Sequence, residues 1–328
     1  MNNKTLVYTK FGSAEVLHFE ERKRPIPVAD QILVQVYATT VNRTDNATIR
    51  AIPFFARLIT GIFKPKYPIP GSEFAGVVIT CGENVRAFRP GDRVFGFHDL
   101  GAGCHAEYLA IADKYAQSIP EGISFEEAAA SCEGAHYAFS CIKRLGLSAG
   151  DDAMIYGASG AIGSGAVQIL KSMGLNVTAV SSTRHLELMK HIGADRIIDY
   201  TKTDFTQVDQ KYDFIMDAVG KTSFFKVFHM LKHGGIFVSN DLGFLGINIM
   251  LPVITLILKP LLGFRKCNFP YPDDIPGSLA LIRTLITEGK FKTVIDRVYP
   301  FSEIKDAYEY VNTERKTGNV VVRVQTGD

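Results

Sequence analysis

The stretch IYGASGAIGSGAVQILKSMG, residues 155–174, sets Gly157, Gly160 and Gly163 three residues apart between an apolar run and a helical pattern. Each glycine has its own physical task in such a place: a tight turn, close approach of backbone N–H groups to a pyrophosphate, and close packing of helix on strand. Ser159, Ala161 and Ile162 fill the rest of the turn and the opening of the helix, so Gly157, Ser159, Gly160, Ala161, Ile162 and Gly163 are the expected cofactor contacts. A glycine-rich turn can also serve packing alone. The strand before it, the helix after it and a second strand from Val177 carry the nucleotide reading.

An acid at the end of that second strand would bind the ribose 2′-hydroxyl of NAD. The sequence there is VSSTRH, without one. Arg184 stands 21 positions after Gly163, and with Ser181, Ser182 and Thr183 it suits the 2′-phosphate of NADPH, whose oxygens a planar guanidinium engages in pairs. The alternative is a solvated arginine opening the next helix.

Outward from the turn, strands and helices alternate. Strands are expected at 154–157, 177–181, 196–200, 214–219 and 236–239, with helices at 163–172, 185–191 and 223–232. This is the pattern of parallel βαβ units with helices on both faces of one sheet. Val219 and Gly220, then Ser239 and Asn240, close strands at the carboxyl edge, where ligands of such sheets bind. Before residue 113 the chain has short β-rich runs (6–9, 16–20, 32–37, 74–80, 93–96) punctuated by prolines, as in a β-barrel. Ser124 and Glu127 form a capping-box pattern, opening a helix expected to run to about Leu145. The tail reads helix 277–288, strand 293–299, helix 302–314 and strand 319–324, and periodicity leaves open whether it extends the parallel sheet or returns to the N-terminal domain.

The chain has 328 residues, 46% hydrophobic and 21% charged, with a formal net charge of +2, which gives no electrostatic support to nucleic-acid or anionic-membrane binding. Five cysteines without a CxxC pair argue against a disulfide framework and a cysteine-cluster zinc site, and favour a reducing compartment. The first residues lack the pattern of a secretory signal, so a cytoplasmic protein is expected. The apolar segment 242–262 is long enough to span a bilayer, but Pro252 and Pro260 are expected to break it. It is expected instead to cover part of the cofactor cleft, to favour apolar acceptors and to be partly buried in a homodimer, with Leu251 and Ile254 as contact residues.

Several further motifs stand in order along nearly the whole chain: ATTVNRTD (38–45), YPIPGSEFAGVV (67–78), RPGDRVFGF (89–97), HAEYLA (105–110), YDFIMDAVG (212–220) and ERKTGNVVV (314–322). With the glycine turn, they make the chain resemble the zinc-independent quinone oxidoreductase branch of the medium-chain dehydrogenase/reductase superfamily. The resemblance implies an α/β fold: a GroES-like β-barrel catalytic domain (1–122), a Rossmann doubly wound parallel-sheet domain binding NADPH (123–265), and a tail (266–328) that returns to the catalytic domain. Zinc-dependent members hold a catalytic metal with Cys, His and Cys. Here Asn42 and Ser72 stand at the first two positions, Glu73 alone cannot complete a tetrahedral site, and Cys132 near the third reads as core. No metal is expected.

The implied chemistry is hydride delivery to a quinone or an α,β-unsaturated carbonyl compound. Asn42 and Asp45 match the residues beside the nicotinamide, although they could simply fix the turn after the strand ending at Val41; the tyrosine that some members carry two residues after the Asp is Ala47 here. His136 and Tyr137, on the helix that faces the cleft in the family, are alternative proton donors, or packed helix residues. Tyr200 matches a position near the 2′-phosphate or adenine ribose; Ser239 and Asn240 are placed under the nicotinamide, and Lys316, Gly318 and Asn319 in the segment that closes over the cofactor. An alcohol dehydrogenase and a non-catalytic NADPH-binding protein are the competing functions.

Overall fold

The computed structural model describes residues 2–54, 57–99, 101–241, 243, 247–270 and 272–325. Two compact units divide the chain: residues 1–133, 275–287 and 293–328 form the first, and residues 134–274 and 288–292 the second.

The first unit contains β1 (Asn2–Val7), β2 (His18–Lys23), β3 (Gln31–Val41), α1 (Arg43–Arg50), α2 (Arg57–Thr60), β4 (Glu73–Cys81), β5 (Arg93–Phe97), β6 (Tyr108–Ala112), β7 (Ala116–Ser118) and α3 (Phe125–Ala129). From the tail come α9 (Ile275–Thr287), β14 (Ile295–Pro300), α10 (Ile304–Asn312) and β15 (Asn319–Arg323). One sheet runs β14-β15-β3-β4-β5-β7, with β6 also on β3, while β1 and β2 form a separate antiparallel pair. The tail returns from Ile275 on, residues 288–292 apart, while residues 266–274 belong to the second unit: β15 lies antiparallel on β3, with Val320 opposite Val41. Two faces of β3 explain this. Ile32, Val34 and Val36 pack with Phe74, Val78, Val94 and Ile111 in one core, whereas Val41 packs with Leu6 and Ile49 in another, to which the tail adds Tyr308, Val311 and Val320. Burying each such side chain stabilises by about 1.5–3 kcal/mol, and without the tail the second core would lie open.

The second unit holds most of α4 (Glu133–Ile142), β8 (Asp152–Tyr156), α5 (Ala161–Ser172), β9 (Asn176–Ser181), α6 (Leu186–His191), β10 (Arg196–Asp199), β11 (Tyr212–Asp217), α7 (Phe224–Val227), β12 (Leu231–Ser239), α8 (Ile247–Ile257) and β13 (Lys266–Asn268). The sheet is parallel throughout, in the order β10-β9-β8-β11-β12-β13. The chain moves outward from β8 to β10 and then returns to β11 on the other side of β8. That reversal makes the carboxyl ends of β8 and β11 the topological switch point.

Local expectations differ from the structure in four places. The helix expected from Ser124 to Leu145 is two: Ser124 and Glu127 form their capping box, but α3 ends at Ala129 and α4 begins at Glu133. The run expected to be a helix to Lys232 becomes strand at Leu231, because Leu231 pairs with Tyr212 at the far end of β11. The strand expected at 16–20 begins at His18, after a 3-10 turn at Ala14–Val16. Pro252 lies inside α8 and does not end it.

Leu242, Phe244 and Leu245 of the apolar segment lie outside the described residues. Within α8, Leu251 is buried with Phe224 and Phe237 in the core of the second unit, so it is a packing residue and not a pocket or subunit contact. Ile249, Met250, Val253, Leu256 and Ile257 are exposed. Among the described residues no helix is long and apolar enough to cross a membrane.

Candidate active site

In the second unit the glycine turn joins β8 to α5. Gly157 has φ +78°, the left-handed region, and a side chain there would strike Val219. A Cβ on Gly163 would overlap the Gly157 carbonyl oxygen, so this glycine lets helix and turn touch. Gly160 differs: its φ is −77°, and a Cβ would meet only the Gly157 carbonyl oxygen, at 3.6 Å. Nothing within the unit requires glycine there. It is the N-cap of α5, no side chain caps the helix, and the first-turn N–H groups of Ala161 and Ile162 have no partner within the helix. An uncapped helix N-terminus beside open space suits a pyrophosphate.

Four more strand ends, of β9, β10, β11 and β12, lie along the same carboxyl edge. Ser181, at the end of β9, is buried and its hydroxyl has no hydrogen-bond partner. Ser182 Oγ lies 3.2 Å from His185 Nδ1, and Arg184 is exposed. β9 ends without an acid, but the sheet brings one in from the next strand: Asp199 of β10 accepts from Thr183 Oγ1 at 2.5 Å, and from Thr201 N and Oγ1 at 3.0 and 2.7 Å. Those hydroxyl bonds hold its carboxyl below the usual range, and they engage Thr183 with Asp199. Tyr200 follows, 49% exposed, its ring 6.3 Å from that of Tyr156.

At the end of β11, Asp217 accepts from the backbone N–H groups of Val219, Gly220 and Thr222 at 3.0, 2.9 and 3.0 Å and so shapes that loop. After β12, Ser239 Oγ accepts from Asp241 N, and Asn240 Oδ1 accepts from Cys141 Sγ at 2.7 Å, while Asn240 Nδ2 is buried without a partner. Two orphaned polar atoms, an uncapped helix and an open glycine fit a dinucleotide.

His136 and Tyr137 lie in α4, their rings 5.5 Å apart. Burial, followed by the charge of Lys143, lowers the His136 pKa to about 4. Tyr137 is half-buried.

The first unit contains a buried polar cluster. Asn42 is the N-cap of α1, and its N–H donates to Asp45 Oδ2 at 2.8 Å, so Asp45 does fix the turn after Val41, as the plainer reading has it. The Asn42 carboxamide points elsewhere: Nδ2 donates to Glu73 Oε2 at 2.7 Å, and Oδ1 accepts from Lys316 Nζ at 3.2 Å. Glu73 also accepts from the Thr40 hydroxyl and from the backbone N–H of Glu133. That last bond explains why α4 starts at Glu133. The Glu133 carboxylate accepts from Thr44 Oγ1 at 2.5 Å and from Ser72 Oγ at 3.1 Å. Asp45 also lines a water-sized cavity of about 20 Å³, with Tyr8, Thr44 and Ser72. Thr44, Glu73 and Glu133 were not recognised as a group from sequence: Ser72 and Glu133 are 61 residues apart, and no local pattern joins them.

Gly318 and Asn319 each have a structural task in this unit. Gly318 has φ +59° and no room for a Cβ beside the Val294 carbonyl, and Asn319, buried, donates to that carbonyl from Nδ2 at 3.1 Å. His105 is also structural. Nε2 lies 2.8 Å from the Thr40 carbonyl, which can only accept, so Nδ1 accepts from the Tyr308 hydroxyl at 3.2 Å.

Burial first, then the charge of Glu133, pushes the Glu73 carboxyl up to about 8, against the opposing effect of the Glu133 N–H and the Thr40 hydroxyl. Burial likewise raises Asp45 and Glu133. Unfolded, Glu73 titrates near 4.5, so between pH 4.5 and 8 the folded protein holds a proton that the unfolded chain releases. Stability is full below that window and falls as pH rises through it, by at most about 1.4 kcal/mol per pH unit for one group. Thermal melts from pH 5 to 9 are expected to show this fall, and Glu73→Gln to flatten it. An unchanged slope in Glu73→Gln would assign the proton elsewhere.

A family model described as "Alcohol dehydrogenase GroES-like domain" matches residues 28–121, and one described as "Zinc-binding dehydrogenase" matches residues 192–322. The chain is 33% identical to 2-methylene-furan-3-one reductase of Solanum lycopersicum, over 96% of this chain and 77% of that protein. The chain belongs to the medium-chain dehydrogenase/reductase superfamily, in its quinone oxidoreductase-like branch. It is 31% identical to the chloroplastic NADPH-dependent alkenal/one oxidoreductase of Arabidopsis thaliana, over 97% of this chain and 79% of that one. Among solved structures, the quinone oxidoreductase from Coxiella burnetii superposes with a TM-score of 0.85 at 25% identity, covering 99% and 100% of the two chains. Like the family's other members, the chain is a pyridine-nucleotide-dependent oxidoreductase with a GroES-like unit and a Rossmann-like unit.

The family also includes zinc-holding enzymes, and the residues of this chain do not fit that metal. Asn42 and Ser72 offer a carboxamide and a hydroxyl, both already engaged, and Cys132 is a buried thiol turned to the Ala128 carbonyl of the preceding turn. Among the described residues no three His, Cys, Asp or Glu side chains are placed to hold a metal ion.

Proposed function

We propose that the chain is an NADPH-dependent, metal-free reductase of quinones or α,β-unsaturated carbonyl compounds. The observation that carries this reading is the donor set around Asn42, where hydroxyls, a carboxamide and an ammonium serve buried carboxylates and neither thiolate nor imidazole is offered to a metal. When bound, the reduced nicotinamide supplies a hydride; the acceptor's new electron pair takes up one proton. Gly157, Gly160 and Gly163 with the N-terminus of α5 hold the pyrophosphate, Ser181, Ser182, Arg184 and Tyr200 the adenosine 2′-phosphate, and the loops at Val219–Gly220 and Ser239–Asn240 the nicotinamide half. Asn42 orients the acceptor. Asp45, whose pKa burial raises, lines the water-sized cavity, and Tyr137 is a neutral donor.

Asp199 supports one alternative, NADH, because its carboxylate stands beside the loop at Thr183. The fuller reading includes a small hydrophobic acceptor, a cytoplasmic setting compatible with five free thiols, and a homodimer that covers the exposed face of α8. Sedimentation at micromolar concentration tests the dimer.

Steady-state NADPH oxidation with a panel of quinones, enals and simple aldehydes, in chelator, tests the function. Quinones or enals are expected to turn over at an unchanged rate when chelator is added, and elemental analysis to find far less than one zinc per chain. Turnover of simple aldehydes alone, lost in chelator, would make the chain an alcohol dehydrogenase. No turnover with any acceptor, despite tight NADPH binding, would leave a binding protein.

A further inference from the structure

Lys316 was expected in the segment closing over the cofactor, but its amine lies within the first unit's polar cluster. Nζ donates to the Gly318 carbonyl at 2.6 Å and to Asn42 Oδ1 at 3.2 Å. The carbonyl belongs to a turn at φ +59° where a Cβ would strike the Val294 carbonyl oxygen, so glycine is required there. The position of the amine is therefore set by backbone and not by a flexible partner.

The Asn42 carboxamide bridges opposite charges: its oxygen faces the Lys316 ammonium and its NH₂ faces the Glu73 carboxylate. Turned over, the amide would set NH₂ against an ammonium and oxygen against a carboxylate, both repulsive. The ammonium also acts on Glu133, whose own bonds come from the Thr44 and Ser72 hydroxyls, which are neutral donors. Once Glu73 ionises, near pH 8, buried carboxylates without a cation would be costly.

We propose that Lys316 is a positioning residue, whose ammonium locks the Asn42 carboxamide in one orientation against Glu73 and supplies the counter-charge for the buried carboxylates of the GroES-like unit. A tethered cation thus does electrostatically what this donor set cannot ask of a metal. The kinetic part rests on Asn42 orienting the acceptor; the electrostatic part does not. The charged groups that act on the ammonium are Glu133, Glu73, Arg43 and Asp296.

The test compares the full-length wild type with Lys316→Met, Lys316→Arg, Glu73→Gln and the Lys316→Met/Glu73→Gln double variant. Melting temperatures at pH 6 and 8.5 and NADPH affinity by fluorescence titration need no turnover. Lys316→Met is expected to melt lower, with the larger loss at pH 8.5, where Glu73 is ionised; the double variant is expected to recover most of that loss, and NADPH affinity to stay within twofold. Lys316→Arg, keeping the charge, is expected to recover most of the stability, and it answers the question if Lys316→Met does not fold. Equal losses at both pH values with additive effects in the double variant would overturn the counter-charge role. A tenfold or greater loss of NADPH affinity with unchanged melting would return Lys316 to the nucleotide site. In the kinetic arm, Lys316→Met is expected to lower kcat for an enone at least tenfold with little change in the KM for NADPH. An unchanged kcat overturns the positioning of Asn42. Absence of turnover in the wild type would instead count against the proposed reaction, with the melting data still deciding the counter-charge.

Discussion

Changing Gly163 to alanine is expected to cost the protein both nucleotide affinity and stability, whereas Gly160→Ala is expected to cost only affinity. The added methyl on residue 163 would overlap the Gly157 carbonyl oxygen and crowd Ala158 Cα at 2.7 Å, so α5 must move away from its turn. Overpacking of this kind costs about 1–3 kcal/mol, or roughly 1.5–4 °C in melting temperature for a chain of 328 residues. A methyl on residue 160 meets nothing closer than 3.6 Å and asks for no unusual φ. Stability should be unchanged, while a methyl standing where a pyrophosphate must approach should weaken NADPH at least about tenfold, or 1.4 kcal/mol. Melting curves and fluorescence titration of both variants measure this. If Gly160→Ala binds NADPH like the wild type, the open face of the turn is not the phosphate site.

Arg184→Ala is expected to weaken NADPH by roughly ten- to a hundredfold and to leave NADH nearly unaffected. A hydrogen bond to a charged group contributes about 1.5–3 kcal/mol, and only the 2′-phosphate offers the guanidinium such a partner. Asp199 sharpens the test. Its carboxylate, one strand over, is held by Thr183 and Thr201, and a negative charge there opposes a second one on the ribose. Asp199→Asn should therefore tighten NADPH, by severalfold at low salt and less as salt screens the pair. Equal losses for the two cofactors in Arg184→Ala, or a wild type that prefers NADH, would assign Asp199 the ribose hydroxyls and Arg184 to solvent.

What the sequence determined by itself lies where the cause is local. The glycine turn is legible because its demands, a left-handed φ at Gly157 and close contact at Gly163, fall within seven residues of each other. The alternation of strands and helices, and the Ser124–Glu127 capping box, are legible for the same reason: a helix or strand writes its period into adjacent residues. Tertiary structure decided everything that needed distant groups to meet. The start of α4 depends on a carboxylate 60 residues earlier, Glu73, which accepts the Glu133 N–H. The strand at Leu231 overrides a helical run because β11 offers it a partner. The tail returns because β3 offers β15 an edge, and because Val41 lies in an apolar core that β15 and α10 help to close. Asp199 comes beside Thr183 because β10 pairs with β9, and Lys316 comes to Asn42 from 274 residues away. Buried charges and amides find their partners across the fold, and no window of sequence contains both ends of such a pair.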